Sequence, residues 1–149
     1  VNADGAFLGT KYAIRAMRQG RGGSIVNLSS ASGLKAAAGA AAYCTSKAAV
    51  RMISRVAALE CAQQGDGIRV NTVLPGGTAT PMWQSTDFWA ELADASGGEA
   101  GAWAALSQDV PLKRFAQPME IAQAILYLAS DEAQYVTGAE LAIDGGYTA

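Results

Sequence analysis

Tyr43 and Lys47, one helical turn apart in the run Tyr43-Cys44-Thr45-Ser46-Lys47, carry the most chemistry in this sequence. On an α-helix, positions i and i+4 share a face, so the spacing sets an ammonium beside a phenol. A free tyrosine ionises near pH ~10, and a neighbouring cation favours the phenolate, so such a pair can work as a general acid and base. Ser30, thirteen residues before the tyrosine, adds a hydroxyl at the end of a strand-like run. Open α/β folds bind ligands at that end of a parallel sheet. The Pro75-Gly76 break ends the next strand-like run at the same edge. Singly, these features read as a solvated tyrosine, a turn-forming serine and punctuation. Their convergence points to a site.

Composition narrows the chemistry further. The 149 residues contain no His, which excludes Ser-His-Asp triads, Cys-His nucleophiles and HExxH zinc sites. The two Cys are too few for a structural zinc site. Cys44 and Cys61 lie on one expected helix, roughly 25 Å apart at ~1.5 Å rise per residue, beyond the ~7 Å reach of a disulfide. Free thiols suit a reducing cytoplasm, the expected location. A formal charge of −2 gives no basic footprint for nucleic acid or anionic lipid. No apolar run reaches the ~18–20 residues that span a bilayer.

The elements that would position these residues alternate. Residues 3–18 read as a helix, with Phe7, Ile14 and Met17 on one face and Asn2 or Asp4 as its cap. Gly20-Arg21-Gly22-Gly23 is a turn, and Ser24–Ser29 a short strand. A loop of small residues runs from Ser30 to Ala40. A long helix follows from Ala41 to about Gln64, with Ala49, Ile53, Val56 and Leu59 at the helical period, and Gly65-Asp66-Gly67 stops it. Ile68–Leu74 is a second strand. Residues 78–116 hold neither period for long and predict only short helices. Pro118 opens a helix continuing through Glu120–Ser130, and Leu141-Ala142-Ile143 is a last strand before Asp144-Gly145-Gly146. Helix and strand in alternation predict a parallel α/β sheet.

These residues resemble the short-chain dehydrogenase/reductase family. The resemblance rests on Asn2 in VNADGAF, Ser30 in IVNLSSASG, Tyr43 and Lys47 in YCTSK, RVNTVLPG from Arg69 to Gly76, Thr80 in PGGTAT, and VTGAELAIDGG. It covers essentially the whole chain. It implies a Rossmann-like, doubly wound parallel sheet and reversible oxidation of a secondary alcohol with NAD(H) or NADP(H). By position it implies that Tyr43 exchanges the hydroxyl proton. Lys47 would hold the nicotinamide ribose and lower the Tyr43 pKa, Ser30 would bond the substrate oxygen, and Asn2 would anchor a relaying water. Pro75, Gly76 and Thr80 would line the nicotinamide end, with Thr78 offering its backbone to the carboxamide where many relatives carry an apolar residue.

The family's TGxxxGxG turn and NNAG strand segment are absent. Residues 1–149 therefore read as the catalytic, C-terminal part of one Rossmann-like domain, incomplete and expected to be inactive alone. The Ser24–Ser29 strand is then expected at an exposed sheet edge, with weak dinucleotide binding and a tendency to aggregate. Residues 82–110 match the variable substrate lid. That stretch carries Trp83, Phe88, Trp89 and Trp103, and its charges are Asp87, Glu91, Asp94, Glu99 and Asp109, with no Lys or Arg. A neutral, apolar or cyclic alcohol or ketone fits it, with Trp83 among the residues contacting substrate, unless the rings only pack the lid. Small residues on the helices 3–18 and 41–64 suit close packing, and the resemblance implies a homodimer or homotetramer through them. The rivals are an acyl-carrier-protein ketoreductase and a non-catalytic interface module.

Overall fold

The computed structural model of the chain describes all of residues 1–149. Helix α1 (Asn2–Met17) leads into β1 (Gly23–Leu28), a 3-10 turn at Ala31–Gly33, helix α2 (Ala41–Gln64) and β2 (Ile68–Pro75). Short helices α3 (Pro81–Gln84), α4 (Phe88–Ala95) and α5 (Glu99–Leu106) follow, then α6 (Pro118–Ala129), a second 3-10 turn at Asp131–Ala133, and β3 (Glu140–Ile143). The three strands form one sheet in the order β1-β2-β3, and both pairings are parallel. Parallel neighbours require crossovers, and α2 and α6 supply them.

The sheet is covered on both faces. Along a strand, successive side chains point to opposite faces. Ile25 and Val70 enter a core with Ala57, Ala58, Cys61 and Ile68, against which Ala13, Ile14 and Met17 of α1 pack. Their neighbours Ser24 and Arg69 point the other way, and both donate hydrogen bonds to the Leu128 carbonyl of α6, at 2.8 and 2.9 Å. This is the doubly wound arrangement in a three-strand, incomplete form. Central β2 is the most deeply covered, with Val70, Asn71, Thr72, Val73 and Leu74 all at 0% exposure. β1 pairs only with β2, so it is an edge strand as expected, and Leu28 at its end is exposed.

The turns after α1 and α2 meet at the amino ends of β1 and β2. Gly22 has φ +84°, and a Cβ there would strike the Gly67 carbonyl. Gly23 N–H donates to that carbonyl at 3.2 Å. Only glycine serves both conditions.

One expectation needs correcting, and one helix face is a finding of the structure. Val1, not Asn2 or Asp4, is the N-cap residue of α1, and no side chain caps it. Asn2 lies inside the helix, where its amide reaches a neighbouring element instead. The apolar stripe of α2 is also rotated from the buried face. Val50, Ser54, Ala57, Ala58 and Cys61 are buried, whereas Val56 and Leu59 are exposed. Ala49, Ile53 and Val56 line a groove of about 900 Å3 between α1 and α2, together with Phe7. The sheet takes the small side chains, which permit close helix approach, and the larger ones face outward.

α6 is entered through Pro118 in its first turn. Glu120 accepts the Gln117 backbone N–H at 2.7 Å and both Arg114 guanidinium nitrogens at 2.7 and 2.8 Å. The Arg114 hydrogen bonds, then the Gln117 amide, hold its carboxyl down to about 2. An unfolded glutamate titrates near ~4.3, so this contribution is complete above that pH and is lost as pH falls through about 2. The melting-temperature gap between the native protein and Glu120→Gln is expected to be widest above pH ~5 and to close on acidification. A gap unchanged down to pH ~2 would contradict the assignment.

Candidate active site

Parallel strands bring their carboxyl ends to one edge of the sheet, and α2 begins above that edge. Leu28 ends β1 and pairs in register with Val73 of β2, two residues before Pro75. Lys47, in the second turn of α2, donates from Nζ to the Leu28 carbonyl at 3.1 Å. The same Nζ lies 5.8 Å from the Tyr43 ring centroid. Ser29, buried between them, donates its hydroxyl to the Lys47 carbonyl at 2.8 Å. The ammonium is thus fixed to the strand end, and the helix carrying it is pinned one residue further on. Burial pushes the Lys47 pKa below the ordinary lysine value.

Tyr43 remains 45% exposed, so its phenol is open to a reacting group. Ser30 has extended backbone, φ −167°, and caps the turn Ala31–Gly33 by accepting the Ser32 N–H at 3.1 Å. It is therefore a turn former, and accepting that bond leaves its hydroxyl proton free to donate elsewhere. Its hydrogen bond runs to Ser32, not to Tyr43. Asn2 donates from Nδ2 to Ser46 Oγ at 3.1 Å, and Ser46 Oγ donates to the Tyr43 carbonyl at 2.8 Å. α1 is tied in this way to the turn of α2 that bears the tyrosine.

The other candidates gather on the loop beyond β2. Pro75 ends the strand opposite Ile143, and Gly76 N–H donates to the Ile143 carbonyl at 3.0 Å. A Cβ at Gly76 would lie 2.7 Å from Asp144 Cα, so the two backbones touch where the strands end. Thr78 bridges to Ala116, donates its hydroxyl to the Gly76 carbonyl at 3.3 Å and accepts the Trp83 indole N–H at 3.0 Å. Thr80 is the N-cap residue of α3, without its side chain capping the helix. The bonds of Thr78 and Trp83 stay within this loop and do not reach Tyr43 or Lys47.

The aromatic residues of segment 82–110 and Phe115 form a chain of contacts. Trp83 and Phe115 rings are 5.2 Å apart, Phe115 and Trp103 5.7 Å, and Trp103 and Trp89 4.7 Å. Trp89 is buried. Packing accounts for that end of the chain, while Trp83 at the other end stays partly open, between exposed Met82 and Phe88.

Several residues that position the site escaped the sequence reading. Asn27 of β1 donates from Nδ2 to Thr10 Oγ1 of α1 at 3.0 Å and to Ser54 Oγ of α2 at 2.8 Å, linking the three elements. Arg69 and Asn71 bind the carbonyl of Val136, and Asn71 Oδ1 accepts the Ala139 N–H, which lays the chain after α6 beside β2. Nothing local signals these partners, because each lies many positions away.

The chain is similar to known proteins along essentially its whole length. Residues 1–148 match the family model described as enoyl-(acyl carrier protein) reductase, one of the short-chain dehydrogenase/reductase models. Cyclopentanol dehydrogenase of Comamonas testosteroni is 47% identical over 149 residues, which are 100% of this chain and 55% of that protein. The NADP-dependent (R)-specific alcohol dehydrogenase of Lentilactobacillus kefiri is 42% identical over 152 residues, again 100% of this chain and 55% of its own length. The solved ligand-free aldohexose dehydrogenase of Thermoplasma acidophilum superposes with a TM-score of 0.84 at 33% identity, covering 99% of this chain and 56% of that one. The chain belongs to the short-chain dehydrogenase/reductase family. It spans about half the length of the curated relatives it matches.

The Asn27 network yields a direct expectation. Asn27→Ala leaves the buried hydroxyls of Thr10 and Ser54 without their donor, and should lower stability by ~1–3 kcal/mol in urea unfolding of the intact protein. A loss below ~0.5 kcal/mol would show that the three elements are held together without it.

Proposed function

We propose that the protein is an NAD(P)-dependent dehydrogenase that interconverts a secondary alcohol and a ketone, on a neutral, apolar or cyclic substrate. One observation carries the reading: the Lys47 ammonium, held on the Leu28 carbonyl, stands beside the ring of an exposed Tyr43 at the mouth of a parallel sheet.

The donors present fit a dinucleotide. Lys47 uses one of its three protons on Leu28, leaving two for ribose hydroxyls. Gly76 runs with no side chain against Asp144, and Thr80 presents a hydroxyl that does not cap its own helix. Pro75, Gly76, Thr78 and Thr80 would line the nicotinamide end. A dinucleotide held there would supply the hydride acceptor for the carbinol carbon in oxidation and the hydride donor for the carbonyl carbon in reduction. Tyr43 accepts the hydroxyl proton during oxidation and returns it during reduction. Ser30 donates its free proton to the substrate oxygen, aligning it and countering developing negative charge. Lys47 keeps positive charge beside the phenol. Asn2 would anchor a water that relays protons beyond Lys47, and its amide meets Ser46, which bonds the backbone carbonyl of Tyr43.

The lid supports the substrate class. It presents Met82, Trp83 and Phe88 as open apolar surface, and its only charges are acidic, so an anionic substrate meets no cation there. The cyclopentanol and (R)-specific alcohol dehydrogenases among the relatives accord with it. The description of the matching family model favours an acyl-carrier-linked substrate as the second reading. The groove between α1 and α2, with Phe7, Met52, Val56 and Leu59 exposed beside it, supports a homo-oligomer. No helix is long and apolar enough to cross a membrane, and the two free thiols suit the cytoplasm.

The decisive pair of experiments uses the full-length protein. It should oxidise cyclic secondary alcohols in preference to reducing acyl-carrier-linked ketoacids. Tyr43→Phe should lower turnover by ~10²–10⁴-fold while NAD(P)H affinity stays within about threefold. A preference for acyl-carrier substrates would favour the second reading, and full activity of Tyr43→Phe would remove the mechanism. For the oligomer, Val56→Glu with Met52→Glu should yield a smaller species in sedimentation. An unchanged sedimentation coefficient would place the interface elsewhere.

A further inference from the structure

Arg51 lies one more turn along α2, so Tyr43, Lys47 and Arg51 form a stripe at i, i+4 and i+8. Its Nη1 donates to the Gly33 carbonyl at 2.5 Å, and its Nη2 to Glu140 Oε2 at 2.7 Å. Gly33 closes the 3-10 turn that Ser30 caps. Glu140 opens β3 and stands in register with Thr72 of β2. A single guanidinium therefore joins the helix of the acid–base pair, the turn of the substrate-binding serine and the edge of the sheet.

The joint is also well shielded. The side chains of Arg51 and Glu140 are only 21% and 20% exposed, and neither Arg51 Nε nor Glu140 Oε1 has a hydrogen-bond partner. Removing either residue thus strands the other's charge in a poorly hydrated place. At Gly33 a Cβ would lie 3.0 Å from both the Lys47 carbonyl carbon and Ser29 Oγ, so the turn is seated tightly on α2 at this point. Gly33 N–H donates to the Ser30 carbonyl at 2.9 Å, so the turn that seats Gly33 on α2 also carries Ser30.

We propose that Arg51, anchored by Glu140, is a positioning residue that sets Ser30 against Tyr43 and Lys47. It acts through the serine and not through the cofactor. Only the kinetic part of its test rests on the dehydrogenase reading.

Arg51→Met in the full-length enzyme should lower kcat by roughly 10–100-fold, with NAD(P)H affinity within about threefold of the native value. Made in a Ser30→Ala background, the same change should cost less than about threefold, because the serine it positions is gone. Arg51→Lys reaches one of the two acceptors and should recover part of the loss. Independently of turnover, amide exchange at Gly33 and Leu34 should quicken at least ~10-fold in Arg51→Met. Equal losses in both backgrounds, or unchanged exchange at those amides, would overturn the proposal. Should Arg51→Met not fold, Arg51→Lys and Glu140→Gln carry the same two measurements, with smaller changes in the same direction. An intact enzyme without dehydrogenase activity counts against the functional reading, and the exchange rates then decide the positioning role by themselves.

Discussion

The hydrogen bond from Lys47 to the Leu28 carbonyl is the joint on which the candidate site depends. A lysine side chain has four rotatable bonds and, free in solvent, would sample many positions. Here its head is fastened to the last residue of β1, while the Ser29 hydroxyl fastens the backbone of the same lysine from below. The cation is therefore delivered by the sheet as much as by the helix. Its partial burial lowers its basicity.

The rest of the chain serves to keep that joint in register. β2 is buried along most of its length and acts as the keel, with β1 and β3 laid parallel on either side. Polar side chains do much of the stitching: Asn27 draws α1 and α2 onto β1, and Arg69 and Asn71 bring the chain after α6 beside β2. Close backbone contact finishes the edge, where Gly76 meets Asp144 and Gly77 meets the Phe115 ring. Asp144 is itself kept ionised: burial opposes this, but the Thr148 hydroxyl and the amides of Gly146 and Thr148 outweigh it and hold its carboxyl below the ordinary range.

Much of this was legible in the sequence, for identifiable reasons. Glycine turns and runs of β-branched residues are local signals, and β1, α2, β2 and β3 fall within a residue or two of where those signals set them. The Tyr43–Lys47 pairing follows from helix geometry alone. The orientation of α2 did not, since its apolar residues are numerous enough to cover either face. Which face meets the sheet is settled by the size of Ala57, Ala58 and Cys61 against β2. The capping role proposed for Asn2 failed because Asn2 lies inside the helix, one residue past the N-cap, where its amide donates to Ser46. Arg51 and Glu140, eighty-nine residues apart, leave no trace in any local pattern, although the i+8 spacing from Tyr43 was there to be noticed.

The proposed acid–base chemistry requires the positive charge of Lys47 to act on Tyr43. The most direct measurement is the pH dependence of single-turnover alcohol oxidation, with cofactor saturating, in the native enzyme and in Lys47→Met. A cation beside the phenol eases its deprotonation, so its loss should move the midpoint of the hydride-transfer profile to higher pH. A midpoint that stays in place, with only the plateau lowered, would contradict the coupling.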